Sequence, residues 1–402
     1  MTYMKLLVLA AVLLLLAPPH HSSAQPDTNI IKIATQSPLT NNASPQGEAI
    51  VNGTQLAIDQ LGGRLRDNGF ELQLVSYDDD SSPEVGVANA REIIADPQIL
   101  AVIGHYNSGV AIPSSEVYNE ANLVMVSPAN TAALVTDRGL PIVNRVCGRD
   151  DVEGLVGAQH LESIDVRSVY IIHESDVYGE GLAMSFRNNA VELGIEILGY
   201  ESIDSDGSGD YQDVAQRVSE ADPDVVYLAG TVMGNIAQQL SDAGYDGQLM
   251  GGNGLDTPNF AALGGEIVEG AYFTTALAQA NVHEDAEQFI ADYTDAFGVA
   301  PIGGAAEAYD ATGIVLRAIE WAIEFNNGNL PTRAEVAAEV RATVDYDGIT
   351  GLITFDENGD REEGNYFVIE VQHSDPQRWL ENRAVNHIQV LSPIAQEYAR
   401  FD

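Results

Sequence analysis

The sequence has little of two residue types, cysteine and lysine. Cys147 is the only cysteine among 402 residues, so the chain cannot form an internal disulfide, and its stability must come from a packed core. Lysine occurs only as Lys5 and Lys32. A phosphate-binding loop of the GxxxxGK[ST] type requires a lysine in a context that neither position has, which excludes that route to nucleotide hydrolysis.

Positive charge is scarce overall. The formal net charge is −42 at pH 7, which argues against nucleic acid and anionic membranes as partners. Carboxylates in such excess repel each other at low ionic strength. We therefore expect a surface adapted to high salt, where this repulsion is screened.

Motifs for catalysis and metal binding are also missing. No HExxH or GxSxG motif occurs, and the histidines lack the spacing of metal ligands. Cys147 has no histidine in its local sequence, which argues against a catalytic thiol. We predict no catalytic residue, no metal ligand and no cofactor, and hence a protein that is not an enzyme.

One long hydrophobic run lies near the N-terminus. It is LLVLAAVLLLLA, which follows Lys5 and precedes the small residues Ser22 and Ala24. This pattern predicts a cleaved secretory signal over residues 1–24. A membrane-spanning helix needs about 20 apolar residues, so we expect the mature protein to be exported and soluble.

From residue 30 onward, short apolar runs typical of strands alternate with helical patterns. Strands that are apolar on both faces and separated by helices indicate parallel sheets built from βαβ units. The runs fall into two sets, which predict an α/β protein with two Rossmann-like lobes. The first set is IIKIAT, ELQLVSYD, ILAVIG and LVMVSP, and the second is IVNRV, RSVYIIHES, IEILGY, DVVYLAG and GQLMGG.

Helices are predicted between these strands and after them. After residue 325, the runs GLITFD and YFVIEV surround the turn signal ENGD. Residues 373–402 are polar and without a clear period, and we interpret them as a C-terminal tail. The predicted helices are 45–61, 83–95, 109–121, 179–193, 210–221, 286–297 and 305–325.

Two polar loops follow neighbouring strands of the first set. In open α/β sheets, ligands bind beyond the carboxyl ends of the strands, where the next helix begins. In GHYNSG, Ser108 offers a hydroxyl at a helix start that favours a carboxylate, or else it only caps the helix. In SPANTAALV, Ala129 offers a carbonyl and Thr131 a hydroxyl. The two loops would thus present hydroxyls to one point.

Taken in chain order, these two loops and the sequence blocks around them, such as IKIATQSPLT and LITFDENGD, resemble those of the branched-chain amino acid-binding proteins of ABC importers. These proteins are the leucine/isoleucine/valine-binding type of periplasmic binding protein. The resemblance spans about residues 30 to 372. The matching blocks are IKIATQSPLT, QGEAIVNGTQLAIDQLGG, YDDDSSP, VIGHYNSG, MVSPANTAALVTDRG, YGEGLA, VEGAYFTT, AYDA and LITFDENGD.

The resemblance implies a type I periplasmic binding fold, in which two lobes are joined by a hinge of three chain crossings near residues 146, 275 and 352. It places lobe 1 at residues 25–146 plus 276–352, lobe 2 at 147–275 plus 353–372, and the tail at 373–402. It also implies a periplasmic monomer that closes on a small-molecule ligand and delivers it to a membrane permease.

The same resemblance assigns roles to individual residues. Ser108 and Thr131 would hold the α-carboxylate of an amino acid, the carbonyl of Ala129 would help bind its ammonium group, and Tyr178 would cover the ligand from the second lobe. Asn107, like Ser81, occupies a position where relatives have a disulfide cysteine, and both cysteines are missing here.

At several family positions the residue type departs from the pattern. Gln46 and Thr231 stand where relatives have aromatic residues, and Asn253 stands where relatives have the glutamate that binds the ammonium. Asp256, or Glu307 two residues before Tyr309, could supply the missing charge. Alternatively, the ligand has no free amine, as in short amides or urea.

The resemblance therefore implies an importer's binding protein for an amino acid or a related small polar molecule. A ligand-sensing module of a receptor or kinase remains an alternative, because both roles use the same closing mechanism.

Overall fold

The computed structural model describes residues 29–204, 209–283 and 286–399. The strands of this part of the chain are β1 (Ile30–Ser37), β2 (Glu71–Asp78), β3 (Ile99–Gly104), β4 (Val124–Ser127), β5 (Val143–Arg145), β6 (Ser168–Glu174), β7 (Glu196–Ile203), β8 (Val225–Ala229), β9 (Gln248–Gly251), β10 (Tyr272–Thr275), β11 (Tyr346–Gly348), β12 (Gly351–Ile353), β13 (Glu363–Glu370) and β14 (Arg383–Leu391). The α-helices are α1 (Ser44–Leu61), α2 (Gly63–Asp67), α3 (Pro83–Ala95), α4 (Ser108–Glu120), α5 (Leu134–Asp137), α6 (Asp150–Ser163), α7 (Val177–Glu192), α8 (Gln212–Ala221), α9 (Gly234–Asp242), α10 (Pro258–Gly264), α11 (Glu287–Phe297), α12 (Ala305–Phe325), α13 (Arg333–Arg341) and α14 (Pro393–Ala399).

The first lobe is built on a parallel five-stranded sheet in the order β2-β1-β3-β4-β5. Every residue of β3 is buried, so both faces of the sheet are covered, as expected for a parallel sheet between helices. The core of this lobe joins strand residues such as Val102 to α12 residues such as Ile314. Two segments far apart in the sequence therefore build one lobe.

The second lobe is built on a seven-stranded sheet in the order β14-β13-β10-β9-β8-β6-β7. Strands β6 to β10 run parallel, and β13 and β14 add antiparallel pairs. Side chains of a strand alternate between faces, and β6 shows this: Tyr170 and Ile172 join the core with α8 and α9, whereas Val169 and Ile171 join the core with α6 and α7.

The chain passes between the two sheets three times within the described residues: between β5 and α6, between β10 and α11, and between β12 and β13. Arg361 bonds the first of these connections to the third. Its guanidinium donates to the carbonyls of Val146, Thr350 and Leu352 at 3.3, 2.7 and 3.0 Å. These two connections are therefore packed side by side, as in a hinge.

Sequence patterns located the helices well, because most have a buried face and a recognisable start. The structure begins α3 at Pro83, where Ser82 accepts a hydrogen bond from the backbone N–H of Val85, and α12 has the predicted bounds. Ser108 is the first residue of α4, and Asn107 occupies the N-cap position.

Two predictions about strands differ from the structure. The run IVNRV was assigned to the second set, but its β5 pairs with β4 in the first sheet. The runs around ENGD do not pair with each other: β12 pairs with β11 and β13 with β10, and only a Phe355–Arg361 bridge closes the turn. Local patterns define a strand, but they do not define its partner.

The C-terminal segment also differs from the expected tail. Strand β14 pairs along the whole length of β13, and Trp379 before it is buried. Most side chains of β14 are exposed, because of its residues only Ile388 and Val390 pack against a buried core. Two such positions give too short an apolar alternation for the sequence pattern to reveal the strand.

Two further features concern the whole chain. The predicted signal, residues 1–24, lies outside the described residues, and among the described helices none has the length and apolar character that crossing a membrane requires. Cys147 is buried, and this burial raises the pKa of its thiol to about 12, against an opposing effect of Arg145.

Candidate functional site

The loops after β3 and β4 converge at the carboxyl edge of the first sheet. Because β3 and β4 are neighbouring parallel strands, the residues that follow them meet. Ser108, at the first turn of α4, and Ala129 and Thr131, after β4, line one cavity of about 20 Å³. We call it the central cavity. Asn107 lines it as well.

Asn130 fixes the geometry of these two loops. Its Oδ1 accepts hydrogen bonds from the backbone N–H of His105 at 2.9 Å and from Ser127 Oγ at 2.8 Å. Its Nδ2 donates to the carbonyl of Tyr106 at 2.8 Å. A single buried side chain therefore ties the loop that carries Ser108 to the loop that carries Thr131.

The second lobe closes the central cavity from the other side with Asp176, Tyr178, Thr231 and Asn253. The Tyr178 hydroxyl donates to Asn253 Oδ1 at 3.1 Å and accepts from the backbone N–H of Gly254 at 2.9 Å. Asp176 caps α7 by accepting from the N–H of Gly179 at 2.7 Å. These side chains also follow the carboxyl ends of parallel strands, as the fold rule requires.

Thr231 is held by a buried carboxylate. Glu174 Oε2 accepts from the Thr231 N–H at 2.9 Å and from its hydroxyl at 3.2 Å, and Oε1 accepts from the N–H of Val232 at 2.7 Å. Burial raises the pKa of Glu174 to about 7, although these hydrogen bonds lower it. The Thr231 hydroxyl is therefore already engaged on the protein side.

Asp150, the first residue of α6, lies directly behind Thr131. Its backbone N–H donates to the Thr131 carbonyl at 2.9 Å. Its side chain is buried, and neither carboxylate oxygen has a hydrogen-bond partner of good geometry among the described residues. Burial raises the pKa of Asp150 to about 7, while the Thr131 hydroxyl and Arg145 oppose the shift. A buried carboxylate without a partner is costly unless a cation or a donor reaches it.

Glu153 lies one turn further along α6 and contacts Asn253. Its Oε1 accepts from the Asn253 N–H at 2.6 Å and from the Thr274 hydroxyl at 3.1 Å. Burial is the main cause that raises the pKa of Glu153 well above its usual range, and the charge of Asp150 adds to it. Glu153 therefore holds the backbone of Asn253 in place, while the side chain at position 253 is a neutral amide and not the glutamate of relatives.

A second cavity of about 160 Å³ adjoins the central one, since Tyr106 and Thr231 line both. We call it the side cavity. Gln46 and the start of α1 form its wall on the first lobe, and residues of α10 form its wall on the second. Asn259 of α10 donates to the carbonyl of Asn42 at 3.0 Å across the cleft, so the two lobes are in contact here.

Three residues proposed from the sequence lie elsewhere. Asp256 accepts a hydrogen bond from Trp379 Nε1 at 2.8 Å. Glu307 caps its own helix by accepting from the N–H of Gly304 at 3.0 Å and lines a separate small cavity at the hinge. The Tyr309 hydroxyl donates to Gln60 Oε1 at 2.8 Å. None of the three lines the central or the side cavity.

Four residues that lie at the cleft or directly behind it were not predicted from the sequence. Tyr106 stands inside the quoted block GHYNSG, and Asp176 stands two residues before Tyr178, so position alone could have drawn attention to them. Asn130 and Asp150 act through buried contacts between distant segments, and no local pattern reveals these. No cluster of three metal-ligating side chains occurs within residues 29–204, 209–283 and 286–399.

Comparison with known proteins places the chain among two-lobed solute binders. A family model described as periplasmic binding protein matches residues 30–376. Leu/Ile/Val-binding protein homolog 2 of Brucella abortus (strain 2308) is 30% identical over 343 residues, which cover 85% of this chain and 90% of that protein. Leu/Ile/Val-binding protein BraC3 of Rhizobium johnstonii is 32% identical over 333 residues, covering 82% and 88%.

Solved structures agree with the sequence matches. The crystal structure of a leucine-binding protein from Thermotoga maritima superposes with a TM-score of 0.79 at 28% identity, covering 90% of this chain and 99% of that chain.

Proposed function

Since the chain belongs to the periplasmic binding protein family, we propose that it is the extracytoplasmic binding protein of an ABC importer and that its solute is an amino acid or a related small polar molecule. The α/β fold with two lobes that was predicted from the sequence is confirmed. The identity of the solute and the importing partner belong to the proposal.

One observation carries this proposal: Ser108, Ala129, Thr131 and Tyr178 line one cavity between the two lobes. Ser108 lies in the first turn of α4, where free backbone N–H groups and the helix dipole favour a carboxylate. The hydroxyls of Ser108 and Thr131 supply further donors. The α-carboxylate would therefore lie against the first lobe.

The ammonium group would lie against the Ala129 carbonyl, on the side of Asp150, which lies behind Thr131 and lines a neighbouring cavity. The buried Asp150 carboxylate has no partner of good geometry among the described residues, so its charge would attract an ammonium group in the central cavity. This assignment replaces the charge that Asn253 lacks. Asp176 in the same cavity adds negative potential from the second lobe.

Closure of the two lobes about the three connections would exclude water from the solute. Hydrogen bonds and charges then act at lower dielectric, and a dissociation constant of 1 μM requires about 8 kcal/mol in total. The closed protein would dock on a membrane permease, whose separate ATPase drives transport. Export through a signal at residues 1–24 would place the protein in the periplasm. We propose that it acts there as a monomer.

Calorimetry on the purified protein at high salt tests the proposal. We expect micromolar binding of at least one α-amino acid. Ser108→Ala and Thr131→Ala should each weaken it by about 1 to 3 kcal/mol through loss of a charge-assisted hydrogen bond. Ser241→Ala and Thr294→Ala are matched controls, since both side chains are exposed and line neither cavity, and they should leave the affinity unchanged.

Two outcomes would contradict the proposal. If the affinity is unchanged in both Ser108→Ala and Thr131→Ala, the assigned site is wrong. If short amides or urea bind and no amino acid does, the assigned ammonium contact is wrong.

A further inference from the structure

We infer that the side cavity receives the side chain of the solute and that Gln46 selects a neutral side chain with a hydrogen-bond donor at its end, such as a carboxamide or a hydroxyl. This inference rests on the proposed function, because it assumes that the α-carboxylate and ammonium groups bind at the central cavity, whose volume of about 20 Å³ must widen when they enter. It goes beyond it by naming the chemical class of the side chain.

The two cavities adjoin, so one solute can place its α-carboxylate and ammonium groups at the central cavity and its side chain in the side cavity. They share Tyr106 and Thr231 as lining residues, so a molecule anchored at Ser108 can extend between these two side chains. The volume of the side cavity is about 160 Å³, and one water requires about 10 to 15 Å³. The side cavity therefore has room for several non-hydrogen atoms.

Gln46 is the unsatisfied polar group of this cavity. Its side chain lies in the first turn of α1 and is only 5% exposed. Its Oε1 is buried and has no hydrogen-bond partner among the described residues. A buried acceptor without a donor destabilises a protein, and such groups in native structures mark a missing partner. A donor on the solute would supply that partner.

The other groups of the wall indicate that the donor is neutral. No described residue that lines the side cavity is charged, and its polar side chains include the amides of Asn42 and Asn259. A lysine-like ammonium buried here would find no carboxylate on the lining, which makes it costly. The nearby Glu174 already accepts hydrogen bonds from Thr231 and Val232.

A carboxamide fits Gln46 in either orientation of the side-chain amide, because each group has both a donor and an acceptor. An aliphatic side chain fits less well, since it would seal Oε1 away from water without providing a donor. Val232, Phe260 and Leu263 on the same lining can pack against the methylene groups that lead to the amide.

The experiment compares three probes of similar length by calorimetry: glutamine, norleucine and lysine. With the full protein we expect glutamine to bind at least about tenfold more tightly than norleucine and lysine. Gln46→Leu removes the acceptor and should reverse the order of glutamine and norleucine. Gln55→Leu makes the same change on the same helix, where the side chain donates a hydrogen bond to Asp59 at the surface and lines neither cavity, and it should keep the original order.

The outcomes separate this inference from the proposed function. If norleucine binds wild type as tightly as glutamine and Gln46→Leu changes neither affinity, the inference fails while amino-acid binding stands. If none of the probes binds and no other amino acid does, the proposed function fails, and the inference with it. Thermal melting of both variants shows whether they are folded, and the ranking of probes on wild type tests the inference even if Gln46→Leu does not fold.

Discussion

Stability and binding favour opposite protonation states of Asp150. Its pKa is raised to about 7, first by burial, so the folded protein without solute holds the proton more tightly than the unfolded chain does. Stability therefore falls as the pH rises from about 4 to about 7, where the folded state must release that proton. An ammonium group requires the ionised form, so binding improves over the same range.

Asp150→Asn tests the expected pH dependence of stability and of binding. At pH 8 we expect a higher melting temperature than wild type, because no buried charge forms, and an affinity for amino acids weaker by about 1.5 to 3 kcal/mol. In wild type the affinity should rise as the pH increases from 5.5 to 8, and this slope should flatten in the variant. Calorimetry and thermal melting at several pH values give both readouts.

Asp213→Asn is the matched control, because Asp213 is exposed on α8 and lines neither the central nor the side cavity. It should retain the pH slope of binding. An Asp150→Asn protein with the slope of wild type would show that another group, such as Glu174, carries the titration.

How much of the site was predictable depends on the kind of residue. Ser108, Ala129 and Thr131 follow strands directly, so strand patterns and the rule for parallel sheets were sufficient to place them together. Asp150 follows the predicted strand IVNRV, but that strand was assigned to the second set and so to the wrong lobe. Its proximity to Thr131 depends on the path of the chain after β5, which only the tertiary structure shows.

Among the elements, the connections between the lobes carry a buried network of ion pairs. Asp360 accepts from Arg145 Nε at 2.5 Å and from Arg149 Nη1 at 2.6 Å. Arg145 also donates to the carbonyls of Asn130 and Ala132, both at 2.9 Å, which flank Thr131. The third connection is thereby bonded to the loop of the cleft.

Asp360→Asn should destabilise the protein by about 3 to 5 kcal/mol at pH 7, because two buried guanidinium groups lose their anion. Burial alone would raise the pKa of Asp360, but Arg145 and Arg149 lower it below its usual range. Its contribution is therefore present above about pH 4 and is lost as the pH falls through the folded pKa. Urea unfolding at pH 7 and at pH 3 measures both effects.

Asp165→Asn is the matched control, since the Asp165–Arg167 pair lies at the surface with side chains 86% and 72% exposed. Such pairs contribute about 0 to 1 kcal/mol. A loss at Asp360 no larger than at Asp165 would show that the buried network does not stabilise the hinge.

Elements were predictable where burial repeats along the chain. Helix α12 has a long buried face and a predicted range that matches the structure, whereas β14 exposes most of its side chains and went undetected. Strand β5 was recognised but assigned to the wrong set, because three residues define a strand without defining the neighbour with which it pairs.

The molecule as a whole carries a net charge of −42. Raising the salt concentration from about 0.1 M to about 1 M shortens the screening length from about 10 Å to about 3 Å. We expect the melting temperature at pH 7 to rise over this range as repulsion between carboxylates is screened, as calorimetric scans would show. The rise should shrink near pH 4, close to the isoelectric point of about 4.1. An equal rise at both pH values would point to general salting-out instead.

The buried thiol of Cys147 has a practical consequence for studying motion. Because it is shielded and almost fully protonated at neutral pH, maleimide reagents would leave it unmodified in the folded state. A pair of introduced surface cysteines, one on each lobe, would then take up fluorophores selectively in an otherwise native background. Energy transfer between the dyes would follow opening and closing of the cleft one molecule at a time.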